Sequence, residues 1–242
     1  MPQPPLRWVD PDDPLPPPQL ALREPNGLLA AGHDLSATRL LEAYRKGIFP
    51  WYSEGQPVLW WSPDPRMVLN LDRFKVSRSL VKTVRRVRSE SRWKILLDHD
   101  FGAVMDACAA PRERLGGGTW ITPQIKAAYS ELHRLGHAHS VEIHAEDGAL
   151  LGGLYGVSIG RMFYGESMFA RASDASKIAL YALVELLRTL GFRVIDCQQN
   201  TRHLASLGAT EVPRVTFLSY VSELAALPAP DWSSAALDFP VA

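Results

Sequence analysis

Two hydrophobic periods alternate along this chain, and their changes mark out its elements. Ser36 reads as an N-cap, Leu40, Leu41 and Tyr44 share one helical face, and Gly47 stops that helix. A second helix runs over 77–87, with Leu80, Val81 and Val84 turned inward. Trp93–Leu97 predicts a strand and Phe101–Ala109 a short helix. Thr122-Pro123 pairs an N-cap with proline at the first helical position, and Gly136 closes the helix. Segments 140–144 and 149–157 flank Glu146-Asp147-Gly148 as a hairpin, and 161–165 adds a third strand. The strongest helical pattern is 176–190, ended by Gly191, followed by a buried strand over Val194–Gln198. Short helices over 201–207 and 217–224 complete the pattern, and the tail from Pro228 reads as loose.

From 65 to 225 the order is therefore αβααβββαβα, which predicts an α+β fold with a mixed, mainly antiparallel sheet flanked by helices. The order resembles the acyltransferase fold of GNAT-type acetyltransferases. The front is different in kind. Nine of the 19 prolines lie in residues 1–25, which predicts an extended surface segment. GIFPWYSEGQPVLWWSPDPR (47–66) reads as a short hairpin and turns carrying Phe49, Trp51, Tyr52, Trp60 and Trp61. A boundary near Asp64-Pro65 divides a small N-terminal domain, 1–64, from a larger one, 65–242.

Composition removes some classes. With 46% apolar and 21% charged residues in 242, the chain can bury a core. No run approaches 18 apolar residues and the start lacks a signal-peptide core, so a soluble cytoplasmic protein is expected. Two cysteines, Cys108 and Cys197, read as buried free thiols. The neutral net charge hides an asymmetry. Nine basic residues from Arg73 to Lys94 face Glu90 alone, and Arg78, Lys82, Arg85 and Arg86 on the helix suit phosphate contact. Tryptophans in proline-rich turns beside such a segment suit base stacking, and Trp120 adds to them.

Several chemistries lack their signatures. His133, His137, His139 and His144 crowd together, but Gly136 interrupts the helical pair and no HExxH pattern forms, so no metal is expected. Walker and GxGxxG loops are absent, and MFARASDASKIAL lacks the glycines that present N–H groups to the CoA pyrophosphate. Two polar features stand out. Asp196 and Gln198 are two apart on an apolar strand, hence on one face. They are either a satisfied polar pair or a site that orients substrate. Glu166 lies among apolar residues in FYGESMF. It needs a cation, either Arg161 or Arg171, or a cationic or amine substrate.

The stretches REPNGLLA (23–30), 47–66, GTWIT (118–122), LGHAHSVE (135–142), GGLYGV (152–157), GESMF (165–169), IDCQ (195–198) and HLASLGA (203–209) closely resemble the leucyl/phenylalanyl-tRNA–protein transferases. The proline-rich front has no counterpart. The resemblance implies an aminoacyltransferase of the bacterial N-degron pathway. It would move Leu or Phe from aminoacyl-tRNA to proteins beginning with Arg or Lys, with neither cofactor nor membrane. By position, Trp51 and Trp120 would flank the 3′ adenosine of the tRNA. Leu154, Phe163, Leu183, Leu187 and Ile195 would line the amino-acid side-chain pocket, and Glu166, Asp196 and Gln198 would form the catalytic centre. Leu154 replaces a methionine of the best-known members, and Leu183 and Leu187 replace phenylalanines. The rivals are an acetyl-CoA-dependent N-acetyltransferase and a non-catalytic RNA-binding module.

Overall fold

The computed structural model describes residues 5–90, 93–110 and 119–235. The expected loop over 112–118 lies outside them, as do Arg92 and the end of the chain.

The front folds around a four-stranded sheet. Its strands are β1 (Arg7–Val9), β2 (Leu28–Gly32), β3 (Phe49–Pro50) and β4 (Val58–Trp61), in the order β1-β2-β4-β3. β3 and β4 form the expected hairpin, with Phe49 opposite Trp61. α1 (Ala37–Arg45) is capped by Ser36, whose hydroxyl accepts from the Arg39 N–H at 3.2 Å. The front segment is extended but not confined to the surface. β1 pairs in parallel with β2, and Val9 and Leu15 are buried in the main apolar cluster. Apolar residues in a proline-rich segment are still driven out of water, whatever backbone carries them.

A seven-stranded sheet follows. In chain order it contributes β5 (Arg66–Asn70), α2 (Arg78–Glu90), β6 (Trp93–Leu97), α3 (Phe101–Ala109), α4 (Pro123–Arg134), β7 (Ala138–Ala145), β8 (Leu150–Ile159) and β9 (Met162–Ala170). Then come α5 (Ala175–Thr189), β10 (Val194–Gln198), α6 (Arg202–Ser206), β11 (Thr210–Val212) and α7 (Arg214–Leu224). The strand order is β11-β5-β10-β9-β8-β7-β6. β9 and β10 are parallel, and the sheet's other pairs are antiparallel. This is the expected α+β arrangement of a mixed, mainly antiparallel sheet flanked by helices, with two strands the sequence pattern did not reveal. β5 directly follows the prolines of 63–65, and β11 is a three-residue, mostly exposed TEV. Neither shows a period of its own; each exists because the sheet supplies its partner.

The sheet's two faces carry two apolar clusters. α5 is buried on almost every side and packs with α2 on one face. The α1, α3, α4 and α7 side chains pack on the other, in one cluster that also holds the front sheet's Val9, Phe49 and Trp60. The tail is not loose throughout. Trp232 is buried against Phe163, Phe192 and His139, stacking on the His139 ring at 3.9 Å. A single large aromatic buries enough surface to fix a segment without secondary structure.

Candidate active site

The site forms where two parallel strands part. β9 and β10 pair only at Phe163 with Ile195 and Tyr164 with Asp196. Beyond that point both strands are irregular. On β9 the register against β8 slips between Tyr155, opposite Ser167, and Gly156, opposite Gly165. Glu166 is therefore the extra residue of a β-bulge. On β10 the register against β5 slips between Asp196 and Gln198, and Gln198 adopts φ 61°. Bulges of this kind re-aim side chains beside functional sites. Gly156 allows the first of them, since a Cβ there would lie 2.4 Å from the Tyr164 carbonyl oxygen.

A cleft of about 730 Å³ opens at this split. Leu69, Leu154, Phe163, Leu180, Leu183 and Ile195 give it an apolar wall, Glu166 and Tyr155 also line it, and Ser176, Thr201 and His203 are among its polar residues. Four of the five predicted pocket residues thus meet around one cavity. The fifth, Leu187, is fully buried one helical turn beyond Leu183 and is absent from the lining. Both cysteines line the same cleft and are half-buried rather than sealed in the core. Burial pushes the Cys197 thiol up to about 12, with Asp196 adding to the rise. It therefore stays protonated and weakly nucleophilic.

Glu166 receives donors from three elements. The Tyr44 hydroxyl of α1 donates to Oε1 at 2.7 Å, and Gln198 Nε2 donates to the same oxygen at 2.9 Å. The Tyr129 hydroxyl of α4 lies 3.3 Å from Oε2, and the two tyrosine hydroxyls hydrogen-bond to each other. Burial raises the Glu166 carboxyl from its ordinary 4.5 to about 7; the Tyr44 hydrogen bond opposes the rise and the charge of Asp196 adds to it. Burial and the charge of Glu166 push both tyrosines well above their ordinary range, so they remain donors. Neither expected cation reaches this carboxylate. Arg161 donates to the Leu190 carbonyl, and Arg171 donates to the Leu150 carbonyl and covers the Phe169 ring. Among the described residues Glu166 has no ion-pair partner.

Asp196 is the opposite case. Arg66 Nε donates to its Oδ1 at 2.8 Å and Nη2 to its Oδ2 at 2.6 Å, with both side chains at 0% exposure. Asp196 Oδ1 also accepts the Gln198 backbone N–H at 2.9 Å. Asp196 and Gln198 have different partners, but Arg66 beside Phe49 and Phe217 and Glu166 beside Tyr44 and Tyr129 draw on one apolar cluster on one side of the sheet. Asp196 points into the core, while Gln198 turns toward Glu166.

The remaining predicted residues lie apart from the cleft lining. Trp51 is 41% exposed and packs edge-on against Trp61, whose Nε1 donates to the Trp51 carbonyl at 2.7 Å. Trp120 is half-buried at the approach to α4. The Tyr52 hydroxyl donates to Gln124 at 3.0 Å, which joins these two tryptophan-bearing segments. On α2, Arg78, Lys82, Arg85 and Arg86 are exposed, while Leu80, Val84 and Val87 face inward. The histidine cluster is engaged with the protein: His133 with the Ala138 carbonyl, His139 with Asp98 and His144 with Glu142.

Sequence reasoning missed Arg66, Tyr44 and Tyr129 as parts of this centre. The helical period marks Tyr44 only as one of three residues sharing a face. A single arginine opening the apolar run RMVL was a usable signal, because a buried cation demands a carboxylate.

The family model described as leucyl/phenylalanyl-tRNA protein transferase matches residues 68–222, and the model of that family's N-terminal domain matches 33–64. Leucyl/phenylalanyl-tRNA–protein transferases of Burkholderia vietnamiensis and Paraburkholderia xenovorans are each 57% identical over 228 residues. The alignments cover 93% of this chain and 89% and 93% of theirs. Among solved structures, FemX aligns over 72% of this chain and 66% of its own, at 11% identity and a TM-score of 0.45. L-PGS from Bacillus licheniformis aligns over 74% and 57%, at 9% identity and 0.38. On the family match and the 57% identity, this chain belongs to the leucyl/phenylalanyl-tRNA–protein transferases, a family of aminoacyltransferases.

Proposed function

We propose that the chain moves Leu or Phe from aminoacyl-tRNA to the α-amino group of proteins beginning with Arg or Lys, acting in the cytoplasm. The observation that carries the acceptor side is Glu166, a carboxylate on the cleft with three donors and no cation. Asp196 is already neutralised by Arg66. Glu166 is therefore the carboxylate left to receive the acceptor's basic side chain, and an arriving cation would draw its raised carboxyl back to the ionised form. The apolar wall of Leu154, Phe163, Leu183 and Ile195 suits the transferred side chain. Leu187 backs that wall.

The reaction needs no cofactor, because the donor is an activated ester. The neutral acceptor amine attacks the ester carbonyl carbon, the C–N bond forms and the C–O bond to the ribose breaks. The amine's proton ends on the ribose hydroxyl. An α-amino group titrates near pH 8, so about a tenth is neutral at pH 7. Gln198 Nε2 is committed to Glu166, which leaves its carbonyl oxygen to accept from the amine and orient it. An amide oxygen is too weak a base to take the proton outright. Trp51 and Trp120 would stack on the terminal adenosine, and Arg78, Lys82, Arg85 and Arg86 would meet tRNA phosphates. In this reading residues 65–242 form the catalytic domain, and the small N-terminal domain, 1–64, adds Trp51 to the hold on the donor.

Transfer of labelled leucine from leucyl-tRNA to an Arg-starting peptide tests the reading. It predicts transfer without acetyl-CoA and none to the same peptide starting with Glu. Acetylation instead would establish the acetyltransferase, and tRNA binding with no transfer the RNA-binding module. Replacing the four basic residues of α2 by Ala should flatten the salt dependence of tRNA binding by about one log–log unit per lost phosphate contact.

A further inference from the structure

We propose that Arg66 is a positioning residue for the reaction, acting through Asp196 on Gln198. The inference rests on the reading above for what Gln198 does, and on geometry for how Arg66 reaches it. The Arg66 guanidinium lies between two aromatic rings, 4.7 Å from the Phe49 centroid and 4.4 Å from that of Phe217. Its Nη1 donates to the Gly47 carbonyl at 3.3 Å. Its Nε and Nη2 hold both oxygens of Asp196. Asp196 Oδ1 in turn accepts the backbone N–H of Gln198, at the point where the chain bulges and Gln198 takes a left-handed conformation.

That conformation is disfavoured for a residue with a side chain and persists only where its surroundings over-determine it. Here the over-determining contact is a carboxylate that cannot rotate, because a planar fork grips both of its oxygens. The result is the direction of the Gln198 side chain, whose Nε2 lands on Glu166 at 2.9 Å. The line of contact runs from the front sheet (Gly47, Phe49) and α7 (Phe217) to the cleft. Packing at this junction thereby sets the geometry at the split between β9 and β10. Lysine cannot replace the fork: it keeps the charge but presents a point donor in place of two parallel N–H groups.

The test uses the full-length protein, leucyl-tRNA and an Arg-starting peptide in single turnover. Arg66→Lys should lower the transfer rate constant about 10- to 100-fold, with donor tRNA affinity within about twofold of wild type. Gln198→Ala should lower it as well, and the double variant should be no more than about threefold slower than Gln198→Ala alone. A merely structural Arg66 would lower the melting temperature and leave the folded fraction at the wild-type rate, which overturns the proposal. A double variant whose loss equals the product of the single losses overturns it too. Should Arg66→Lys not fold, Phe217→Leu removes one ring from the guanidinium and is judged by the same cycle. Hydrogen exchange at the Gln198 amide reads the positioning without the reaction. Protection should drop about tenfold in either variant, and unchanged protection overturns the proposal even if the wild-type protein transfers no amino acid at all.

Discussion

Two carboxylates lie on neighbouring strands, Glu166 on β9 and Asp196 on β10, and the protein treats them oppositely. Asp196 is sealed from solvent, gripped by a guanidinium and committed to a backbone N–H. Glu166 borders a cleft, takes only neutral donors and is held partly protonated near pH 7 by its burial. The same contrast recurs one helical turn apart on α5, where Leu183 lines the cleft and Leu187 is packed behind it. Closed positions hold the geometry and open ones line the cleft. A carboxylate without its own cation is a binding capacity; one with a bidentate partner is a fastening.

The most severe way to break this contrast is to unfasten the closed side. Arg66→Ala leaves the Asp196 charge buried and alone, and should destabilise the fold by about 3–5 kcal/mol in urea titration. A change under about 1 kcal/mol would mean that water reaches Asp196 and the closed side is not closed. On the open side, Glu166→Gln should cut single-turnover transfer to an Arg-starting peptide by about 10²-fold, near 2.7 kcal/mol, with leucyl-tRNA binding unchanged. A half-saturating concentration of the Arg-starting peptide equal to that of the wild type would remove Glu166 as the cation's partner.

The leucine pair sharpens the comparison. Leu187→Ala should cost about 2–5 kcal/mol of stability, as for a filled core position. Leu183→Ala should cost at least about 1 kcal/mol less, because the cleft already borders it, and should shift donor preference toward Phe. Equal melting losses with no change in preference would place both leucines in the core.

The smallest effect is a pH dependence. Glu166 ionises at 4.5 ordinarily and at about 7 in the folded protein. Between those values the folded state binds more protons than the unfolded one, so stability falls as pH rises. Glu166→Gln removes that slope. The variant should gain on wild type by roughly 1–2 kcal/mol on going from pH 4.5 to 8, allowing for the contact of Glu166 with the cleft. A gap that stays constant with pH would show that Glu166 is as readily ionised as an exposed carboxylate.

Much of this molecule was legible in its sequence. The N-caps Ser36 and Thr122, the glycine stops, the hairpin at 146–148 and the long apolar run of α5 are local signals, and each produced the element it predicts. The pocket-wall residues came only from the family resemblance, whereas the β3–β4 hairpin followed from local signals too, because side-chain type and spacing decide it. Glu166 stood out as a carboxylate in apolar surroundings for the same reason. What the sequence could not supply was partnership. Tyr44, Arg66 and Tyr129 come from three separate elements and reach Glu166 or Asp196 across 122, 130 and 37 positions. Strands β5 and β11 exist only as partners within the sheet, and Trp232 anchors the tail in the core. The bulges at Glu166 and after Asp196 also depend on neighbouring strands, since a register slip is a property of a pair. The chain's pattern thus determined which elements form and which residues need a partner. Only the tertiary structure decided which carboxylate was given a cation and which was left facing the cleft, because that choice depends on distances between residues the chain itself keeps far apart.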